Sequence, residues 1–171
     1  MSSVRRFHNV YTKEDFLNIH EIVKEGNWSL HHRFGKYPLA HAQKSLENND
    51  FFTVELCAKI KKLLGFSESV VLRRVYMNYY FPGMTGGWHI DSEESNFYTF
   101  TTYVTDIPQE ELDTYGGNLD IKTEKDGVIM SFQPETNSGV LFPANLVHRG
   151  QGSTKISRNC RIVLTWKFTI M

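Results

Sequence analysis

Residues 87–95 read GWHIDSEES, in which a histidine and an aspartate stand two apart. On an extended strand, positions i and i+2 point to the same side, so His89 and Asp91 can grip one object together. A further candidate ligand, His148, lies in SGVLFPANLVHRGQG, after a run that reads as a strand and a turn. Two imidazoles and one carboxylate can form a facial triad that leaves three adjacent positions of an octahedral metal open, which suits Fe(II) binding a chelating co-substrate and dioxygen together. Spacing alone does not separate this from a surface hydrogen-bonding pair and an unrelated strand-end histidine. H-x-D is short, and any later histidine could be recruited.

The elements that must position these residues are two helices followed by strands. Thr12, with Asp15 three residues on, approximates a capping arrangement, and Phe16, Ile19 and Val23 recur at helical spacing until Gly26. A second helix begins near Asn49 and Asp50, carries Phe52, Leu56, Ile60 and Leu63 on one side, and stops at Gly65. Beyond it, SVVLRRVYMNYYF, NFYTFTTYVTDI, GGNLDIK, GVIMSFQ, SGVLFP and NCRIVLTWKFTI are rich in β-branched and aromatic residues and are separated by Gly, Pro, Asn or Asp. This order predicts a mainly β fold with N-terminal helices, an antiparallel sandwich or jelly roll braced on one face. Residues 27–48 read as an added edge strand followed by a loop.

At 171 residues the chain fits one domain, with 1–70 as helical support and 71–171 as the β core. Nineteen basic residues balance nineteen acidic ones, so no bulk field favours nucleic acid or an anionic membrane. No signal-peptide pattern and no apolar run of spanning length occurs, which predicts a soluble, cytoplasmic protein. Cys57 and Cys160 are too few for a disulfide framework and read as buried thiols.

The segment MNYYFPGMTGGWHID resembles the N-x-Y-x-x-G-x-x-x-x-x-H-x-D signature of the Fe(II)/2-oxoglutarate-dependent dioxygenases, with Asn78, Tyr80, Gly83, His89 and Asp91 on its positions. TTYVTDI followed by YGGNLDI, and then SGVLFPANLVH, are similar to passages of the prolyl 4-hydroxylase-like branch, while CRIVLTWKF resembles the closing strand that begins with the arginine holding 2-oxoglutarate. The resemblance implies a double-stranded β-helix (jelly roll, cupin-like) with iron near one open end, bound by His89, Asp91 and His148. It also implies an enzyme that consumes 2-oxoglutarate and dioxygen to hydroxylate an unactivated C–H bond, with no side chain needed as a base.

Strand parity sharpens the co-substrate site. Arg74, Tyr76, Asn78 and Tyr80 share one side of their strand, a polar row that a dicarboxylic acid would satisfy. Tyr80 and Tyr103 are candidate hydroxyl contacts. Of two arginines that follow His148, Arg161 shares a face with Val163 and Thr165 and fits the family's inward arginine and its hydroxyl-bearing companion, whereas Arg158 reads as a loop residue. Trp166 and Phe168 then pack outward beneath the helices.

His8, His20, His31, His32 and His41 match no motif position and read as solvent or loop residues, with His31 and His32 able to line a substrate entrance. Gly83, Gly86 and Gly87 fit either a lid over the iron or a tight turn. The substrate implied is a proline in a peptide, a protein or free form. The spacing before His89 and the CRIVLTWKF ending are also similar to the AlkB-like nucleobase demethylases, against which stand the neutral charge and the lack of a basic, aromatic-interleaved stretch. A catalytically silent jelly-roll binding module is the reading outside the enzymes. Specificity should reside in the loops at 27–47, 82–87, 92–97 and 107–116.

Overall fold

The computed structural model describes residues 4–33, 39–123, 127–154 and 159–171, with the side chains of 31–33 and 39–40 outside that description. Thr12 caps helix α1 (Lys13–Lys24), its hydroxyl accepting from the Asp15 N–H at 3.1 Å and donating to the Asp15 carboxylate at 2.8 Å. That carboxylate is buried and also takes the Lys59 ammonium at 2.7 Å, which ties α1 to the next helix. The second helix opens as a π-helical turn (Phe51–Leu56), continues as α2 (Cys57–Leu64) and ends at Gly65 in the left-handed region, φ 71°. Its buried stripe is Phe52, Leu56, Ile60 and Leu64, one every four residues. Leu63, expected in that stripe, is instead exposed.

Among the described residues ten strands follow in order: β1 (Arg5–Phe7), β2 (Ser29–Arg33), β3 (Leu39–Ser45), β4 (Val70–Tyr80), β5 (Phe97–Tyr103), β6 (Leu119–Lys122), β7 (Ile129–Phe132), β8 (Gly139–Pro143), β9 (His148–Gly150) and β10 (Arg161–Ile170). They form a seven-stranded sheet, in the order β1-β8-β5-β10-β4-β3-β2, and a three-stranded sheet, β7-β6-β9. Every pairing is antiparallel. This is the double-stranded β-helix, mainly β with N-terminal helices, that the sequence predicts.

Four short stretches depart from the expectation. LAHAQKS, expected as loop, is strand β3, because it pairs with β4 over His41–Ser45 and so covers an edge that would otherwise lie open; tertiary pairing overrides its weak strand propensity. Residues 109–115, also expected as loop, form a 3-10 turn (Gln109–Glu111) and the single helical turn α3 (Leu112–Tyr115). Strands β1 and β9, three residues each, are too short to show a periodicity.

The central strand β10 divides the molecule into two layers. Leu164, Trp166 and Phe168 join Val75, Met77 and Phe100 in a core against Ile19, Phe52, Leu56 and Ile60 of the helices. Val163, on the other side, packs between the sheets with Tyr103, Leu119, Ile121, Val140 and Phe142. Trp166 and Phe168 are fully buried, and truncating such a residue costs about 3–5 kcal/mol. Slipping β10 by one residue would place Arg161, Thr165 and Lys167 in the apolar layer, so this packing fixes the register. No helix among the described residues is long and apolar enough to cross a membrane.

The glycine loop at 81–87 is tied to the segment after β9: the Gly83 N–H donates to the Ser153 carbonyl and the Gly86 N–H to the Gly150 carbonyl, both at 2.7 Å. Only Gly83 of its three glycines needs a positive φ, 78°. Gly152 completes the strap, since a Cβ there would run into the Met84 backbone. Gly152→Ala should therefore lower stability by about 1–3 kcal/mol, the usual range for overpacking, and speed hydrogen exchange at the Gly83 and Gly86 amides. Urea denaturation with exchange mass spectrometry reads both, and an unchanged exchange pattern would mean that the strap does not hold the loop.

Candidate metal centre and anchoring pocket

His89 and His148 face each other across an antiparallel bridge, each backbone N–H donating to the other's carbonyl at 3.0 and 2.9 Å. Asp91 is held by its own N–H, which donates to the Ala144 carbonyl at 2.8 Å. One donor atom from each of these three residues lies within 4.8 Å of the others. The Nδ1 atoms are occupied elsewhere, His89 with the Gly87 carbonyl and His148 with the Leu146 carbonyl, both at 2.9 Å. A carbonyl only accepts, so in the neutral rings Nδ1 carries the proton and Nε2 offers its lone pair. Both Nε2 atoms approach the Asp91 carboxylate, His89 at 3.7 Å and His148 at 3.4 Å. His148 is sealed under the Phe142 ring, whereas the His89 side chain is 39% exposed, which sets the open side of the cluster.

The electrostatics favour the ligand forms of His89 and Asp91. Burial lowers the His89 pKa, and the neighbouring His148 lowers it further against the pull of Asp91. For Asp91, burial pushes the carboxyl up, but the adjoining His148 ring and the Lys167 ammonium more than reverse it and hold the group well below the usual carboxylate range. Lys167 is pushed down by its own burial, with Asp91 pulling the other way. Two imidazoles beside an ionised carboxylate are a donor set for a first-row divalent metal.

Next to the cluster, a cavity between the sheets is lined on one wall by Tyr76, Asn78 and Tyr80 of β4, and on the next by Arg161, Val163, Thr165 and Lys167 of β10. Arg161 pairs in register with Tyr80, Val163 with Asn78 and Thr165 with Tyr76. The Arg161 guanidinium is 1% exposed and sits 4.7 Å from the centre of the Tyr80 ring and 5.6 Å from that of Tyr103. Its Nε and Nη1 have no hydrogen-bond partner among the described residues. A buried cation with unused donors is strongly disfavoured unless an anion completes it. The cavity thus fits the carboxylate of a small acid, and the donor set beside it fits the metal.

Each sequence-predicted residue now has a place. Asn78 is buried, and its Oδ1 accepts from Gln43 Nε2 at 2.9 Å. Tyr80 lies between the Arg161 guanidinium and the His41 ring, which stacks on it at 5.5 Å. Tyr103 does not line the cavity: its hydroxyl donates to the Phe132 carbonyl at 3.4 Å, so it backs Arg161 instead of facing a ligand. Arg74 keeps the expected parity but stands at the exposed end, paired with Glu47 at 3.2 Å. Arg158 lies outside the described residues, as do the side chains of His31 and His32.

Three smaller expectations change. His41 is half-buried in β3 against Tyr80, and His20 lies on α1 against the Val104 carbonyl at 2.7 Å, so neither is a loop histidine. Cys160 is only partly buried, unlike Cys57.

Four contributors are missing from the sequence reading. Lys167 and Thr99 meet at Asp91, and parity two residues beyond Thr165 would have flagged the lysine. Gly150 and Gly117 give Arg161 its room, since a Cβ at either would stand 3.0 Å from Nη1 or 3.2 Å from Cδ. Nothing local to those glycines announces that role, because the arginine comes from a strand far along the chain.

A model of the 2OG-Fe(II) oxygenase superfamily matches residues 75–167. No curated protein matches the chain by sequence. Among solved structures, a prolyl hydroxylase from Trichoplax adhaerens, in complex with a hypoxia inducible factor oxygen degradation domain peptide fragment, is similar with a TM-score of 0.74 at 11% identity, over 99% of this chain and 84% of that one. A prolyl-4-hydroxylase from Pseudomonas putida gives 0.69 at 15% identity, over 100% and 94%. The non-heme alpha ketoglutarate dependent epimerase SnoN from nogalamycin biosynthesis gives 0.72 at 9% identity, over 98% and 78%. At these identities the likeness is one of fold, while the family match spans more than half of the chain and includes all three clustered ligands. The chain belongs to the 2OG-Fe(II) oxygenase superfamily, whose chemistry needs Fe(II), 2-oxoglutarate and dioxygen.

Proposed function

We propose that this protein hydroxylates an unactivated C–H bond of a proline, in a peptide, a protein or free form, with His89, Asp91 and His148 holding Fe(II) and Arg161 anchoring the distal carboxylate of 2-oxoglutarate. The observation that carries the reading is the buried Arg161 fork, with two donor atoms unused, beside the His-Asp-His cluster. Bound iron supplies the oxidising chemistry when 2-oxoglutarate and dioxygen are present; the side chains bind, orient and exclude water. Arg161 presents donors to a carboxylate, Tyr80 and Tyr103 fix its plane by stacking, and Thr165, Asn78 and Tyr76 offer polar contacts along the cavity wall. Residues 1–70 then serve as support for a catalytic β-helix over 71–171.

The prolyl assignment draws on the fold shared with two prolyl hydroxylases. The basic pair Lys122 and Arg149 flanks the Trp88 ring at 4.3 and 4.4 Å, but Trp88 alternates with His89, and Arg149 is already paired with Asp120 at 2.9 Å. It therefore does not make a basic mouth for nucleic acid.

Three measurements test this reading. Anaerobic protein loaded with Fe(II) and 2-oxoglutarate, then exposed to oxygen with prolyl peptides, free proline and methylated oligonucleotides, should add one oxygen atom to a prolyl substrate by mass spectrometry; loss of a methyl from the oligonucleotide instead would replace the substrate class. Asp91→Ala should abolish substrate-coupled succinate formation while the fold survives, and an undiminished yield would sink the metal assignment. A charge-assisted hydrogen bond contributes about 1.5–3 kcal/mol, so Arg161→Ala should weaken 2-oxoglutarate at least about tenfold in calorimetry of the metal-loaded protein. Unaltered affinity in that variant would place the carboxylate elsewhere.

A further inference from the structure

The two oxygens of Asp91 are treated differently. Oδ2 accepts from the Thr99 hydroxyl at 2.7 Å and from the Lys167 ammonium, which also donates to Thr99 Oγ1 at 3.2 Å. Oδ1 accepts no hydrogen bond from the described residues and stands 3.7 Å from Nε2 of His89, while Oδ2 also lies 3.4 Å from Nε2 of His148. Lys167 reaches this point from the cavity-facing side of β10, directly across the ladder from Thr99, with a side chain only 11% exposed. A buried ammonium is held in place by whatever pairs with it, and here that is the Asp91 and Thr99 pair.

We propose that Lys167 is a positioning residue of the metal centre, which together with Thr99 takes up Oδ2 and so leaves Asp91 to bind the metal through Oδ1 alone. The inference rests on the assignment of His89, Asp91 and His148 as ligands. A carboxylate free to turn can chelate through both oxygens and would then fill two of six positions. With two imidazoles that leaves two open positions, which the 2-oxo acid occupies, and none for dioxygen. One oxygen held by two donors restores the third position. The arrangement places a cation beside a dication, which opposes metal binding electrostatically. A lysine retained at this point therefore serves the geometry of the carboxylate rather than the affinity of the site.

The test counts open positions without asking for turnover. Mn(II)-loaded protein relaxes bulk water protons in proportion to the waters it exchanges. Lys167→Met should reduce that relaxivity by about a third, from three open positions toward two on an octahedral ion. Lys167→Gln, a neutral donor, should hold it near the wild-type value. Equal relaxivity in wild type and Lys167→Met would overturn the proposal. So would a loss shared by Lys167→Gln, because charge and not donation to Oδ2 would then be the cause. Should Lys167→Met fail to fold, Thr99→Val removes the other donor in nearly the same volume and should lower the relaxivity in the same sense; no change there overturns the proposal as well. Failure of the wild-type protein to bind Mn(II) would instead strike the ligand assignment on which the inference stands.

Discussion

The alternation of β10 is the constraint on which the site depends. Leu164, Trp166 and Phe168 must enter the helix-covered core, so Arg161, Val163, Thr165 and Lys167 must face the cavity. No local preference of an arginine or a lysine puts it there. Both are carried inward by the burial of their apolar neighbours, and the helices contribute to the site by giving Trp166 and Phe168 a layer to pack in. Helices packed on the other face of β10 thus decide which of its side chains line the cavity.

Placing two cations in a cavity between two sheets is expensive unless partners are supplied, and the chain supplies them unequally. Lys167 has Asp91 and Thr99. Arg161 has the faces of Tyr80 and Tyr103 but unused donors toward the cavity. Aromatic faces stabilise a guanidinium by electrostatic attraction without consuming its N–H groups, so the fork stays rigid and still available. The ligands follow the same logic: backbone carbonyls of Gly87 and Leu146 occupy the Nδ1 atoms of the two histidines, and the reactive atoms are left over. In each case the part of the side chain that is satisfied orients the part that is not.

Why the sequence is legible in some places follows from the range of the interactions. His89, Asp91 and Arg161 lie on or beside strands where a two-residue period assigns faces, and His148 follows a recognisable strand and turn, but order and parity alone leave their convergence open, and the family resemblance is what joins them. The Thr12 cap and the Gly65 stop are local chemistry and read equally well. LAHAQKS does not, because its strand exists only through pairing with β4. Tyr103 carries the right residue type at the right strand end, yet its hydroxyl turns to Phe132 because the Arg161 fork fills the space in front of its ring. Gly117 and Gly150 are visible as glycines but not as clearances, since what they clear is an arginine brought from another strand.

The same separation explains how one scaffold serves an epimerase and prolyl hydroxylases alike. The proposed metal ligands and arginine anchor are set by the His89–His148 bridge and by the register of β10. Phe81, Met84 and Ile90, by contrast, lie in the segment joining β4 to β5 and are exposed. Mutating them leaves the strand ladders intact, so they are free to diverge while the centre stays fixed. Ile90 stands between two ligands and is bound to that boundary: its backbone must keep His89 and Asp91 in phase, and its side chain, pointing the other way, does not. A residue can thus vary one position from a proposed metal ligand without turning toward it, because alternation along an extended chain separates neighbours in sequence onto opposite faces.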